Sequence, residues 1–160
     1  SIPVVEGDAY LDLRGIFANG FVMSNAKMSH VDLSDAYLEL VVLDSANLES
    51  AELNHANLES AELNHANLES AELNGANLES AELNGANLES AKLNDANLKS
   101  ADVKDADFKY SDLSFAKIND ANGWEDTNIL SCANVEGSDI EIIADVGTAH
   151  LESSSDEMED

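Results

Sequence analysis

A five-residue periodicity is the feature that most constrains how this chain can fold. From residue 46 a ten-residue unit, ANLES AELNH, is copied five times to residue 95 with little change. Inside it lies a five-residue frame that places Ala at every fifth position, from Ala46 to Ala106, with an apolar residue two positions after each. With looser chemistry the frame extends without a break over residues 11–120, as 22 pentapeptides. A repeat architecture is therefore expected.

This period excludes a helix, although the wealth of Ala, Leu and Glu favours one by propensity. In a helix five residues turn by about 500°, so successive Leu side chains would be rotated by about 140° and would share no buried face. A continuous strand fails too, because an odd step reverses the direction of the side chain. Each unit therefore needs three extended residues, Ala-x-Leu, and a two-residue corner. Four corners of about 90° close one coil, which stacks in parallel on the next.

The pattern resembles the pentapeptide repeat family, whose motif is A(D/N)Lxx. ANLES and ANLKS match the motif literally, ADVKD and ADFKY match it with other apolar centres, and AELNH matches it more loosely. The resemblance implies an all-β fold, a right-handed quadrilateral parallel β-helix of about six coils with 20 residues each and short terminal caps. In this arrangement Leu48, Leu68 and Leu88 would lie over one another in the core.

The predicted organisation has three parts. Residues 1–10 are expected to be an N-terminal cap, and residues 11–142 the β-helix. The frame is interrupted near 121–127 and then resumes two residues out of step as three more units. Residues 143–160 are expected to form a C-terminal cap and a disordered acidic tail, the tail being 152–160 by its composition. An uncovered solenoid end would instead be available for a homodimer contact.

The charge restricts the partners. The chain carries 33 Asp and Glu against 7 Lys and Arg, a formal net charge of -26. A polyanion is repelled by phosphate backbones and by anionic lipid, so no direct nucleic acid partner and no membrane partner are expected. No apolar run reaches the roughly 18 residues of a transmembrane helix. Basic protein surfaces, including that of a DNA-handling enzyme, are the favoured partners.

The carboxylates of the most regular coils form the candidate acidic interaction surface. Residues 46–90 contain nine glutamates and no basic residue. They are Glu49, Glu52, Glu59, Glu62, Glu69, Glu72, Glu79, Glu82 and Glu89. Each coil would carry four charges per roughly 4.8 Å of rise, about one per 1.2 Å, against one per about 1.7 Å in duplex DNA. The alternative explanation is that Glu and Asn only keep a β-rod soluble and block edge pairing.

Residues 91–120 differ from this acidic stretch, because they hold five Lys against six Asp. Three of the lysines fall 20 residues after glutamates: Lys92 after Glu72, Lys99 after Glu79 and Lys109 after Glu89. Each pair would meet across adjacent coils. We therefore expect opposite charges to end the acidic columns at this point.

The chain offers little for catalysis: no phosphate-binding loop, no nucleophile with its base and no paired metal ligands. No catalytic residue, metal or cofactor is predicted. His55 and His65 are half a coil apart, so they would lie on opposite sides of the rod as solvated corner residues. Cys132 is expected to be an idle thiol. Trp124, Glu125 and Asp126 form a candidate contact loop, with packing the favoured role of the Trp ring.

These observations predict a non-enzymatic scaffold or interaction protein with an acidic surface. The family resemblance implies an alternative, a DNA mimic that binds a type II topoisomerase such as gyrase and inhibits or protects it. Weak multivalent cation binding and an engineered consensus solenoid are further alternatives. Since successive identical coils cannot build a unique pocket, a specific site is expected in residues 11–45 or 121–142.

The chain opens SIPVVEG without Met or a signal peptide, so a processed or truncated start is expected. The cytoplasm is the favoured compartment, with export or a lumen as alternatives.

Overall fold

The computed structural model describes residues 11–124, 127 and 134–138, together with the backbone of two strands, β1 (Ile140–Asp145) and β2 (Thr148–Ser153). From residue 11 to residue 120 the chain repeats one local geometry every five residues. Isolated parallel bridges connect each unit to the unit 20 residues further on, from Asp12 with Asp32 to Asp102 with Asn122. The predicted four-sided parallel β-helix is confirmed.

The corner of each unit is a β-turn. Between Leu48 and Ala51, for example, the N–H of Ala51 donates to the carbonyl of Leu48 at 3.0 Å, and Ser50 has a φ of 54°. A positive φ at the third residue alone is the pattern of a type II turn. The same conformation recurs at every fifth position down to Asp120. Most of these residues are not glycine, so each corner costs about 1–2 kcal/mol that core packing offsets.

Hydrogen bonds between coils fix the register. The N–H of Leu48 donates to the carbonyl of Asn67 at 2.7 Å, and the N–H of Asn67 donates to the carbonyl of Ala46 at 2.9 Å. This parallel pattern makes four faces, which we name by the outward middle residue of one coil. In chain order they are face A with Glu52, face B with Asn57, face C with Glu62 and face D with Asn67.

The core consists of stacked Leu and Ala side chains. Every central Leu from Leu38 to Leu98 is completely buried, and Ala at the first position of the units is buried beside it. Burial of each Leu stabilises the fold by about 1.5–3 kcal/mol. In the first described coil the inward residues are less covered, since Leu11, Leu13 and Met23 are only partly buried. The regular coils therefore hold the best-packed part of the core.

The C-terminal part departs from the repeat. Asp112 pairs with Asn134, a spacing of 22 instead of 20, across the segment where the sequence frame is interrupted. Strands β1 and β2 then pair as an antiparallel hairpin, in register from Ile140 with Ser153 to Asp145 with Thr148. The last expected pentapeptide, 138–142, differs from the prediction because β1 continues through six extended residues, where a unit would turn after three. Its run of β-branched isoleucines favours extended backbone.

Two predicted segments fall partly or wholly outside this description. The expected N-terminal cap, 1–10, lies outside the described residues, as does 154–160 of the expected acidic tail. The first two tail residues, Glu152 and Ser153, belong to β2. Within the part of the chain that the structure describes, no helix is long and apolar enough to cross a membrane.

Candidate interaction surface

Asparagine columns run along two opposite faces of the rod. On face D, Nδ2 of Asn67 donates to Oδ1 of Asn47 at 3.2 Å, and Nδ2 of Asn87 donates to Oδ1 of Asn67 at 3.1 Å. The Oδ1 of Asn67 also accepts the N–H of Glu69, two residues further on. Face B repeats the arrangement with Asn57, Asn77 and Asn97. The outward Asn is thus a structural residue, which supports its own corner and connects the coils.

Amides of these columns, and of asparagines at corners, also bind glutamates. On face B, Nδ2 of Asn97 donates to Glu79 at 3.1 Å, and on face C, Nδ2 of Asn64 donates to Glu82 at 3.0 Å. Five of the nine glutamates receive such a bond: Glu59, Glu69, Glu72, Glu79 and Glu82. A neutral amide donor stabilises a carboxylate without cancelling its charge. We call the nine glutamates of residues 46–90 the acidic ladders; all nine carboxylates lie on the surface, and amides hold five of them.

One lysine ends a ladder on face A. Nζ of Lys92 lies 2.8 Å from Oε1 of Glu72, one coil away, as predicted. Hydrogen bonds from Lys92 and from Asn54 lower the pKa of the Glu72 carboxyl, and the carboxylate raises the pKa of Lys92. The other two expected pairs do not form in the described part of the chain. Glu79 accepts from Asn97 instead, and Nζ of Lys109 lies 4.8 Å from the ring centre of Tyr110.

An ion-pair cluster marks the first coil of face A. Arg14 donates to both oxygens of Asp12, at 3.0 and 2.7 Å, and lies 3.3 Å from Oδ2 of Asp32. The hydrogen bonds from Arg14 lower the pKa of Asp12 to about 2. Asp32 is buried and its Oδ1 accepts the N–H of Ser34. The acidity of face A is therefore partly neutralised at this end of the rod.

The two histidines of the regular coils are packing residues at corners. His55 and His65 are exposed and have positive φ. The ring of His55 lies over Gly75 of the next coil, where a Cβ would come within 2.5 Å of Nδ1, and His65 lies in the same way over Gly85. Each histidine ring occupies the space that a side chain would need 20 residues further on, and glycine, which has no side chain, stands at both of those positions. Among the described residues, no group of three His, Cys, Asp or Glu side chains could hold a metal ion.

A profile of pentapeptide repeats matches residues 42–79, 71–109 and 86–122, with 8 copies, which together span just over half of the chain. The chain belongs to the pentapeptide repeat family. No protein of curated function matches this pentapeptide repeat protein significantly.

Several solved structures are similar to this pentapeptide repeat protein. Rfr23 from the cyanobacterium Cyanothece 51142 is 26% identical, with a TM-score of 0.50 over 72% of this chain and 89% of that chain. A protein of the Arabidopsis thaliana thylakoid lumen is 28% identical, with a TM-score of 0.38 over 57% and 68% of the two chains. Trypsin-treated QnrB1, a plasmid-mediated fluoroquinolone resistance protein, is 10% identical, with a TM-score of 0.50 over 81% and 72%. The fold is the right-handed quadrilateral β-helix of such proteins.

Trp124 of the candidate contact loop is a packing residue, the role that the sequence favoured for it. Trp124 is only 6% exposed, and its ring centre lies 5.1 Å from that of Phe108 in the core. The bulky ring fills space next to the interrupted coil, so it is not available as a contact residue. Glu125 and Asp126, the other two residues of that loop, and Cys132 lie outside the described residues.

An exposed apolar patch is the surface feature that sequence reasoning missed. It consists of the exposed residues Phe17, Val22, Tyr37 and Leu40, together with half-buried Val42, which pairs with Val22. We call this surface of the first two described coils the apolar patch. The signal was present in the sequence. Four of these residues stand at the outward middle position and one at a corner, where later coils of this pentapeptide repeat protein carry Asn, Glu or Ser.

Proposed function

We propose that this pentapeptide repeat scaffold has no catalytic activity of its own and acts by binding the basic surface of another protein along its acidic ladders. The observation that carries the proposal is the arrangement of nine carboxylates over residues 46–90 without one Lys or Arg. Such a field raises the association rate of a positively charged partner and disfavours an acidic one.

The restricted positions of the ladder carboxylates favour binding in addition to their charge. Asn amide donors limit the positions of five of the nine ladder carboxylates, so less side-chain entropy is lost when a partner binds these five. Rigid coils also keep a spacing of about 4.8 Å between successive carboxylates of a column. A partner that presents Lys or Arg at a similar spacing would pair with several glutamates at once.

Binding of an alternating Lys–Ser peptide, followed by fluorescence anisotropy at several salt concentrations, tests this proposal. The test variant replaces six ladder glutamates by Gln: Glu52, Glu59, Glu62, Glu69, Glu79 and Glu82. The matched control replaces the six aspartates of residues 91–120 by Asn: Asp95, Asp102, Asp105, Asp107, Asp112 and Asp120. Both variants have the same net charge, so a difference between them reports the ladders and not the bulk charge.

We expect the Kd of the Gln variant to rise about tenfold or more at low salt, which corresponds to about 1.4 kcal/mol or more. The Asn variant should be weakened clearly less, because the charges that it removes lie outside the acidic ladders. Equal weakening in the two variants, or none in either, would contradict the proposal.

A second candidate function is occupation of the DNA site of a type II topoisomerase. It is favoured by the charge spacing, about one per 1.2 Å of rod, which is at least that of duplex DNA. The likeness to QnrB1, at 10% identity, is a likeness of fold and adds nothing to it. Purified gyrase should lose supercoiling activity at micromolar concentrations of the chain and of its Asn variant, but not of its Gln variant. Full gyrase activity with all three would exclude this candidate.

A further inference from the structure

The apolar patch is unusual for the surface of this rod. Phe17 is 74% exposed, Val22 75%, Leu40 63% and Tyr37 45%. The same columns continue in later coils with polar residues, because Tyr37 is followed by Asn57 and Val42 by Glu62. Contiguous exposed apolar side chains rimmed by polar ones mark interaction sites on soluble proteins.

The patch is continuous around one corner of the rod. The rings of Phe17 and Tyr37 are stacked on face B, with centres 4.4 Å apart and planes 4° from parallel. Val22 pairs with Val42 on face C, and Leu40 stands at the corner between the two faces. Stacking covers one face of each ring, and much of the apolar surface of both rings remains exposed. Such a surface can pack against an inserted aliphatic or aromatic side chain.

The charged residues on the two faces that carry the patch are all acidic in the first three described coils. On faces B and C, residues 16–25, 36–45 and 56–65 contain four carboxylates and neither Lys nor Arg. The carboxylates belong to Glu39, Asp44, Glu59 and Glu62. A second copy of the chain would bring the same four negative charges against them, which is unfavourable. A partner with Lys or Arg around an apolar side chain would be complementary to both parts of the surface.

We infer that the apolar patch is the docking site for an apolar anchor of the basic protein partner, and that it sets the register of that partner along the acidic ladders. The inference rests on the function proposed above. Identical coils let a basic surface shift by one coil, about 4.8 Å, without losing a contact. A patch present only in the first two described coils removes this degeneracy.

Two peptides of equal charge test the inference on the full chain. One is the alternating Lys–Ser peptide, and the other is the same peptide with its two central Ser residues replaced by Leu. The test variant is Phe17→Asn, Tyr37→Asn, Leu40→Ser. It replaces three patch residues by those found at the equivalent positions of the next coil, Asn57 and Ser60, and leaves the charge unchanged. Tyr110→Ser, at another exposed corner, is the matched control. Leu40→Ser alone is a milder second variant.

We expect the natural chain to bind the Leu peptide about tenfold more tightly than the Ser peptide. The triple variant, which keeps Val22 and Val42, should lose most of this preference. Leu40→Ser should lose less of it, and Tyr110→Ser should keep it in full. Equal affinity of the two peptides for the natural chain would overturn the inference and leave the proposed function intact. Absence of binding by either peptide would overturn both.

Other occupants of the patch give different results. A dimer in sedimentation equilibrium that the triple variant converts to monomer would assign the patch to a second copy and overturn the inference. If replacing Ile2, Val4 and Val5 by Ser makes the Leu peptide bind about tenfold more tightly, the chain's own first residues occupy the patch, and the inference fails as well.

Discussion

The regular coils, residues 46–90, and the first described coils, residues 16–45, share one backbone but present different surfaces. In the regular coils the outward middle positions hold Asn columns and Glu, connected by hydrogen bonds from coil to coil. In the first coils the same positions hold Phe17, Val22 and Tyr37, which are exposed. The positive-φ corners are alike in both, whereas the inward positions are less buried in the first coils, where Met23 is half-buried and Phe21 is 59% exposed.

This difference shows that the outward residues of a coil can change while the five-residue backbone frame stays the same. Burial of two positions in five is enough to specify the coil, since the backbone of adjacent coils supplies the other hydrogen bonds. The outward positions are then free to carry charge, amide columns or apolar side chains. Repetition specifies the fold, and departures from the repeat at outward positions distinguish one part of the surface from another.

Core truncation should have the largest effect and should separate the two regions. Leu68→Ala removes a fully buried side chain and is expected to cost about 2–5 kcal/mol of unfolding free energy. Met23→Ala, at an equivalent inward position that is only partly buried, should cost clearly less. Urea unfolding followed by circular dichroism measures both. Leu58→Ala and Leu78→Ala serve as controls, because their surroundings repeat those of Leu68. A loss for Met23→Ala as large as that for Leu68→Ala would contradict the expected difference between the regions.

Breaking an Asn column should have a smaller effect. Asn77→Ala removes the bonds of this amide to Asn57, Asn97 and the N–H of Glu79, at an expected cost of about 1–2 kcal/mol. Asn77→Asp keeps the acceptor but places a carboxylate oxygen against Oδ1 of Asn57 and the carboxylate of Glu59, so it should destabilise the fold at least as much as Ala. Val22→Ala, at the same kind of position in the first coils, should change the unfolding free energy by about 0.5 kcal/mol or less. Similar losses in Asn77→Ala and Val22→Ala would show that the column is not structural.

The sequence predicted the frame well because one simple constraint governs it. A period of five with Ala and Leu two apart leaves few ways to bury both. Even in the poorly matching unit 16–20, the third residue, Ala18, is buried and the second, Phe17, points outward, as the frame predicts. The conformation of the corners was not predicted. Ser, His and Asp occupy most of these left-handed positions, and they do not signal positive φ as Gly does.

Surface details were harder to predict, because long side chains have several partners within reach. Lys92 was correctly paired with Glu72, but Asn97 competes for Glu79, and the ring of Tyr110 offers Lys109 another partner. The apolar patch was missed because composition directed attention to charge. The β1–β2 hairpin was missed for a related reason, since the five-residue frame could be extended through Ile142 on apolar spacing alone.

The smallest expected effect on stability is that of removing the ion pair between Lys92 and Glu72 on face A. Lys92→Gln removes an exposed ion pair and should lower the unfolding free energy by about 0.2–1 kcal/mol. Lys99→Gln is the matched control, because it removes the same charge from a lysine without an ion pair in the described part of the chain. Both substitutions remove one positive charge, so they raise the repulsion among the carboxylates of the chain by a similar amount. The difference between the two variants therefore isolates the contact with Glu72.

The pH dependence of that difference tests the contact directly. The folded pKa of Glu72 is lowered, so its contribution is present above the pKa of the unfolded chain and is lost as pH falls through the folded value. The folded pKa of Lys92 is raised, so its contribution is present below the unfolded pKa and is lost as pH rises through the folded value. Unfolding experiments should thus give a plateau from about pH 5 to about pH 10 that declines on both sides. A difference that stays constant down to about pH 2 would mean that Lys92 acts through packing of its alkyl chain instead of through the Glu72 carboxylate.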